Sequence, residues 1–457
     1  MASAGDDEGN RLSGRLARYA RVGGGVGGFA ARVIGSRALG READPAQQAA
    51  DLARMLGGLK GPLMKIAQLA ATVPDVLPPE YAFELQKLQS NAPPMGWAFV
   101  RRRMRAELGP DWEKRFRSFG HEPAAAASLG QVHRAITHDG EAVAAKLQYP
   151  DMESAVAADV SQLTAILAVQ RRFSPELDTR EILKELRERL REELDYEREA
   201  RHMRLYGKIL ADAPEVHVPA ALPELSTRRL LTMTWLEGKP LLSYVDHPLE
   251  ERNAIAAALF KAWWRPFARI GVIHGDPHLG NYTIFEDDGA PAGLNLLDYG
   301  CVRIFPPSFV EGVIALYRAF QADDREGIAA AYSIWGFKNL TEERVDTLSL
   351  WARFIYAPLL DDRVRTVADG VAPHLYGRRE VWKVKQGLKG GPLTIPREFV
   401  LMNRAAVGLG AVFLHLKAEL NFHQMFEAEI EGFGRQALEE RQRGALIEAG
   451  LSDSKAP

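Results

Sequence analysis

The sequence predicts an α+β protein in which a small strand-bearing lobe precedes a larger helical one. Three observations carry that expectation. Residues 132–136 and 141–148 are patterned as strands and are joined by the turn His138-Asp139-Gly140. Residues 271–300 hold short strands around a polar loop. From Pro307 onward the apolar spacing is helical.

Composition bounds the classes. The chain has 457 residues, 46% hydrophobic and 26% charged, which suits a globular protein with room for one large two-lobed domain. A formal net charge of −2 argues against the broadly basic surface of a nucleic-acid binder. Cys301 is the single cysteine, which excludes a disulfide framework and fits an intracellular, cytoplasmic compartment. No signal-peptide core opens the chain. The longest apolar stretch, residues 405–414, is about half of the roughly 20 residues that a spanning helix needs. Any membrane association is therefore expected to be peripheral, at the inner face.

Residues 1–43 read as a flexible basic leader. Residues 11–41 hold seven arginines and no acid. Arg11, Arg15 and Arg18 share one helical face and Leu12, Leu16 and Tyr19 another, a pattern suited to an anionic membrane surface. The glycine-rich run 23–28 opposes a helix at roughly 1 kcal/mol per glycine, so a solvated leader is the expected state. Asp44-Pro45 then opens a helical N-terminal extension, residues 44–115, with Asp as cap and Pro at the first helical position. Leu52, Leu56, Leu59 and Leu63 give it a stripe that Gly57-Gly58 and Gly61-Pro62 interrupt. Pro78-Pro79-Glu80 starts a second helix with Tyr81, Leu85 and Leu88, and residues 97–108 a third with an arginine-rich face. The small lobe, residues 116–238, takes the two strands, helices over 152–173 and 179–210, and strands over 216–218 and 228–235. The large lobe, residues 239–441, begins with a helix over 250–270. A basic, glycine-bearing loop at 376–396 interrupts its later helices, and residues 442–457 form a tail.

The chemistry is concentrated in residues 272–281, Val-Ile-His-Gly-Asp-Pro-His-Leu-Gly-Asn, and 296–300, Leu-Leu-Asp-Tyr-Gly. ATP chemistry needs a carboxylate at the reacting hydroxyl or water, and oxygen ligands that hold Mg2+ on the phosphates. Asp276 suits the first role. Asn281 and Asp298 suit the second, because Mg2+ is hard and prefers oxygen. Asp-x4-Asn, a strand pair and then Asp-aromatic-Gly follow the order of the kinase catalytic and metal loops. Each piece alone is weak, since Asp-x-Gly is a common turn; the ordered set outweighs a purely structural origin. His274 and His278, four apart, invite a metal reading, but Pro277 opposes a helix through them and no third soft ligand is near. His274 is expected to organise backbone instead. A kinase also needs a small-lobe lysine for the phosphates and a helix glutamate that orients it. Val143-Ala-Ala-Lys146 supplies Lys146. Glu199 is chosen as its partner, although Glu185, Glu188, Glu192, Glu193, Asp195 and Glu197 share the charged helix, whose bland reading is a solvated face.

Between Lys65 and Gly300 these motifs resemble the UbiB-like, AarF-domain family of atypical kinases. Lys65-Ile-Ala-Gln68 resembles the family's KxGQ motif and is followed by the proline-rich 76–80 and Leu88-Gln89. Residues 123–133, Pro-Ala-Ala-Ala-Ala-Ser-Leu-Gly-Gln-Val-His, resemble its Ala-rich loop. Glu193-Leu-Asp195-Tyr-Glu-Arg-Glu199 resembles its ExD motif with the orienting glutamate six positions on. The likeness extends weakly into the C-terminal helices, as at Arg404. It implies a bilobal protein-kinase-like fold with a helical N-terminal extension over the active site and an enlarged helical C-lobe. It implies ATP bound with Mg2+, or Mn2+ in its place, ATPase or small-molecule phosphotransfer chemistry, and poor activity on proteins. It also implies a link to ubiquinone or other isoprenoid-lipid metabolism, with an isoprenoid lipid, lipid-biosynthesis proteins and membranes as partners. Lys65, Gln68, Glu193 and Asp195 join the catalytic set on this resemblance.

Physical arguments refine it. Glycine loops wrap phosphates through positive-φ conformations; alanines at 124–127 cannot do so cheaply, so phosphates should sit differently here. Ala126, Ala127, Ser128, Gly130 and Gln131 are the close contacts expected around the nucleotide, with backbone at Thr234 and Leu236 for the adenine. Lys65 and Gln68, three apart, share a helix face. Glu193 and Glu199, six apart, lie about 120° apart on a helix, so Glu199 could meet Lys146 while Glu193 or Asp195 meets Lys65 or the metal. Two departures stand out: Ala67 replaces the KxGQ glycine, and Thr234 stands where an acidic hinge residue is frequent.

Two rivals remain. A small-molecule kinase of the aminoglycoside or choline phosphotransferase type shares the His274–Asn281 pattern but not the Lys65–Gln68 helix or the Ala-rich loop. A nucleotide-gated lipid-binding scaffold would use ATP as a switch. A protein kinase is disfavoured, because little chain separates Gly300 from the following helix and no Ala-Pro-Glu element follows.

Overall fold

The structure, a computed structural model, describes residues 95–127, 129–150, 152, 191–338, 340–369 and 397–451. The leader, Lys65 and Gln68, Ser128, nearly all of the helix expected over 152–173 and the loop at 376–396 lie outside them. In chain order the elements are α1 (Trp97–Leu108), β1 (Ser118–Phe119), β2 (Ala125–Ala127), β3 (Gly130–Ile136), β4 (Ala142–Gln148), α2 (Tyr196–Ile209), β5 (Val216–His217), β6 (Leu230–Thr234) and β7 (Lys239–Pro240). Next come α3 (Leu249–Ile270), β8 (Val272–His274), β9 (Tyr282–Asp287), β10 (Ala290–Leu296) and β11 (Val302–Ile304). The helices α4 (Pro307–Gln321), α5 (Arg325–Ile334), α6 (Glu342–Leu360), α7 (Arg397–Leu416), α8 (Phe422–Ile430) and α9 (Arg435–Ala449) complete the order. The chain forms two compact units, residues 1–197 with 221–235, and residues 198–220 with 236–457.

The first unit is a small antiparallel sheet in the order β1-β3-β4-β6, with β2 also paired to β3. Its strands are the β-branched and alanine runs that the alternation picks out, and Gly140, at φ 88°, turns the chain between β3 and β4. One face of β4, with Val143, Ala145 and Leu147, joins Phe99, Val100, Met104 and Leu108 of α1 in a single apolar core. Those four α1 residues share one side of the helix, and Gly109, at φ 90°, ends it. Glu107, on the same helix, accepts from Arg103 at 3.3 Å, from Arg229 Nε at 2.9 Å and from the Thr227 hydroxyl at 2.7 Å. A buried carboxylate is thus satisfied three times and ties α1 to the turn before β6.

One expectation fails here. A continuous helix over 179–210 would carry Glu193 and Glu199 on one cylinder. The chain instead breaks at Leu194 and Asp195, and α2 starts at Tyr196. Gln148 Nε2 donates to the Leu194 carbonyl at 3.1 Å, and the Tyr196 amide donates to the Arg228 carbonyl at 3.2 Å. Both backbone groups would be needed by the helix, so the end of β4 and the turn before β6 take them, and the 120° relation between Glu193 and Glu199 is lost.

The second unit is built around α3. Pro248 precedes it, Glu250 and Glu251 lie in its first turn, and Gly271, at φ 70°, closes it. A four-stranded sheet in the order β5-β10-β9-β7 and the pair β11-β8 pack on this helix, together with α7, α8 and α9. Gln442 of α9, buried, donates to the Ile270 and Phe305 carbonyls at 2.7 and 2.8 Å, which pins the exit of α3 beside the chain after β11. In the register of β8 with β11, Val302 faces His274, so the chain after Asp298 returns to the strand that launches the polar loop.

Candidate active site

In the second unit, β8 ends at His274 and the chain runs through Gly275, Asp276, Pro277 and His278 into a single 3-10 turn, Leu279–Asn281. Pro277 supplies an extended, rigid step there and bars a helix. His274 is 1% exposed. Its Nδ1 accepts from the Asp276 amide at 3.3 Å, so its proton resides on Nε2, which donates to the Asp298 carbonyl. One neutral ring thereby joins the backbones of the two loops. Its position rules out metal ligation, since both nitrogens are committed. Asn281 Nδ2 donates to the Asp276 carbonyl at 3.0 Å, and the Leu297 amide donates to the Asn281 carbonyl at 3.0 Å. Asp298 Oδ1 accepts from the Gly300 amide at 3.0 Å, which turns the chain sharply after the carboxylate.

Glu199 belongs to this unit as well. It is 2% exposed, and its Oε1 accepts from the Tyr299 amide at 3.3 Å. His202, one helical turn on from Glu199, holds the Tyr299 carbonyl through Nδ1 at 3.1 Å. Tyr299 is fully buried, with its ring 5.3 Å from that of Tyr206 and 6.1 Å from that of His274. Burial pushes the Tyr206 and Tyr299 hydroxyls well above the ordinary tyrosine range, so both act as neutral packing groups. Unit two therefore brings Asp276, Asn281, Asp298 and Glu199 into one hydrogen-bonded web. His202 and Tyr206 were missed in the sequence; the i, i+3 spacing of His202 from Glu199 is the signal that could have found it.

The donor set fits Mg2+. Asn281 spends its NH2 on the Asp276 carbonyl and keeps a hard side-chain oxygen as a donor, and Asp298 adds a carboxylate. Among the described residues no group of three His, Cys, Asp or Glu could hold a metal ion. Two oxygen ligands completed by phosphates and water is the usual Mg2+ arrangement.

In the first unit, Lys146 lies on β4 opposite Val132 and Leu231, with its ammonium 5.2 Å from the centre of the Tyr196 ring. The Ala-rich segment is an edge strand: Ala125, Ala126 and Ala127 oppose Val132, Gln131 and Gly130. A Cβ on Gly130 would fall on the Leu147 carbonyl oxygen and 3.0 Å from the Tyr196 hydroxyl, so glycine is required by close packing. Gln131 is fully buried, and its amide is spent on the protein. Oε1 accepts from the Met95 amide at 2.8 Å, and Nε2 donates to the Met95 carbonyl at 3.1 Å and to His133 Nε2 at 2.8 Å. The side chain expected at the phosphates thus clasps the incoming chain at residue 95. Thr234 ends β6 opposite Val143, and Glu193 and Asp195 are half-buried just before α2. Leu236 falls in the second unit, where it lines an open groove with Gly207, Leu210, Pro214 and His217.

The profile of the ABC1 atypical kinase-like domain matches residues 87–332. The Caenorhabditis elegans protein named atypical kinase coq-8, mitochondrial, is 30% identical over 330 residues, 69% of this chain and 44% of that protein. The Saccharomyces cerevisiae atypical kinase COQ8, mitochondrial, is 30% identical over 270 residues, 59% of this chain and 53% of that protein. The chain thus spans about half the length of the curated relatives it matches. Among solved structures, that of Rv3197 with erythromycin, from Mycobacterium tuberculosis, is 28% identical with a TM-score of 0.60, over 85% of this chain and 96% of that one.

Proposed function

The chain belongs to the ABC1 atypical kinase-like family and has its kinase-like fold; from that premise we propose that it binds Mg–ATP and transfers the terminal phosphoryl group to water or a small or lipid acceptor. The web that joins Asp276, Asn281, Asp298 and Glu199 carries this reading. Asp276 would take the proton of the attacking hydroxyl or water. Asn281 and Asp298 would hold the cation, which when bound neutralises and aligns the phosphates. Lys146 would steady the inner phosphates, a role that the family's lysine-strand motif assigns to it. Lys65, Gln68, Glu193 and Asp195 belong to the proposal through the family's motifs alone.

Isoprenoid-lipid metabolism, including that of ubiquinone, is the proposed setting, supported by the names of the relatives. A non-protein acceptor is supported by the short path from Gly300 through β11 to α4 at Pro307, which leaves little chain for a peptide-docking segment. No helix among the described residues is long and apolar enough to cross a membrane, and peripheral contact with an anionic surface remains part of the proposal. The test is Mg2+-dependent phosphate release from ATP, with and without anionic liposomes. Asp298→Asn should lower kcat by at least about 100-fold while the fold persists. ATP that does not bind at all would sink the reading.

A second reading, a nucleotide-gated scaffold for a bulky lipophile, draws support from the erythromycin held by the solved relative. Calorimetric titration with erythromycin at saturating and zero Mg–ATP separates the two. A macrolide that binds only with nucleotide and leaves turnover unchanged favours the scaffold.

A further inference from the structure

Helix α7 lies beyond the family match, which ends at residue 332, yet it reaches the polar loop. The ring of Pro277, next to Asp276, rests directly on the backbone of Gly408. A Cβ there would overlap Pro277 Cγ and stand 3.3 Å from its Cδ and 3.4 Å from its Cβ. Carbon atoms in contact keep about 3.5–4.0 Å, and a proline ring has no rotamer by which to withdraw. Only glycine lets the helix and the loop meet.

The helix is held independently at both ends. Near its start, the Phe399 ring packs 5.3 Å from that of Trp335 and 5.5 Å from that of Phe337. At its close, Arg252 of α3 donates to the Leu416 and Lys417 carbonyls at 2.7 and 2.9 Å, capping two of the open acceptors of α7. Between these anchors Met402, Ala405, Leu409, Val412 and Phe413 are buried. The same α3 runs directly into β8 and the loop. The loop is therefore gripped on one side by His274 and on the other by a rod fixed to its own launching helix.

We propose that α7, through Gly408, is a positioning strut that fixes the Pro277 turn and with it the direction of Asp276. The effect on turnover rests on the phosphotransfer reading above, so the test has one arm that needs no nucleotide. Gly408→Ala in the full chain should speed amide exchange across residues 275–281 by about tenfold. It should lower kcat by about 10- to 100-fold with KM for ATP changed less than about twofold. Adding Pro277→Ala removes the ring that the new methyl displaces, and should restore both exchange and kcat toward wild type. A folded Gly408→Ala with unchanged loop exchange overturns the strut, as does a double variant that restores nothing. If Gly408→Ala does not fold, the double variant must fold with wild-type loop exchange, and its failure also overturns the strut. A wild-type protein without turnover counts against the phosphotransfer reading, while the exchange arm still decides the strut.

Discussion

His133 keeps its place only as a neutral ring. Its Nε2 faces the Gln131 amide nitrogen, which can only donate, and its Nδ1 donates to the Gly120 carbonyl at 2.8 Å. Rotating the Gln131 amide to accept from a protonated ring would set its NH2 against the Met95 amide and break the clasp. Burial lowers the His133 pKa from the ordinary 6.5, opposed by the Gly120 carbonyl and Glu122 and aided by His121. The unfolded chain therefore binds the proton first. The contribution is complete above pH 6.5, declines as pH falls through that value, and levels once the folded ring protonates. Urea unfolding between pH 7.5 and 5.5 should show that decline, and His133→Asn, which cannot titrate, should remove this part of it. None of this was legible in the sequence, where Gln131 read as a phosphate contact. Its side-chain partners in the fold are Met95, outside the Ala-rich motif, and a histidine two positions on, and the fold alone unites them.

Among the elements, the one most open to a direct stability test is α1. Glu107→Ala removes the acceptor shared by Arg103, Arg229 and Thr227, leaving Arg103, 3% exposed, without that counter-ion. A loss of about 3 kcal/mol in chemical denaturation is expected, well beyond the effect of an exposed ion pair. Elements with local causes could be read from the chain. The turn at Gly140 and the pattern around it gave β3 and β4 within two residues. The spacing of Asp276, Asn281 and Asp298 is readable because each sits a fixed short distance from a strand end. The break at Leu194 and Asp195 was not, because the groups that cause it, Gln148 at the end of β4 and the Arg228 carbonyl in the turn before β6, are distant in the chain. Gly408 was equally silent: a glycine inside a helical pattern announces only a cost, never the proline on which it rests.

For the molecule as a whole, the family match and the compact units divide the chain differently. The match runs from residue 87 to residue 332, while helices α6 to α9 complete the second unit beyond it. The first unit is discontinuous, because its sheet needs β6, which arrives only after the chain has contributed residues 198–220 to the second. During synthesis, then, β4 emerges with the side that will pair Leu147 with Leu230 still bare. An open strand edge is the surface along which nascent chains mispair with one another. Its closure waits for more than eighty further residues, Tyr149 through Leu230 at the least. The lysine strand of this protein is thus committed late, and its yield should depend on how well that bare edge is shielded while the ribosome is still at work.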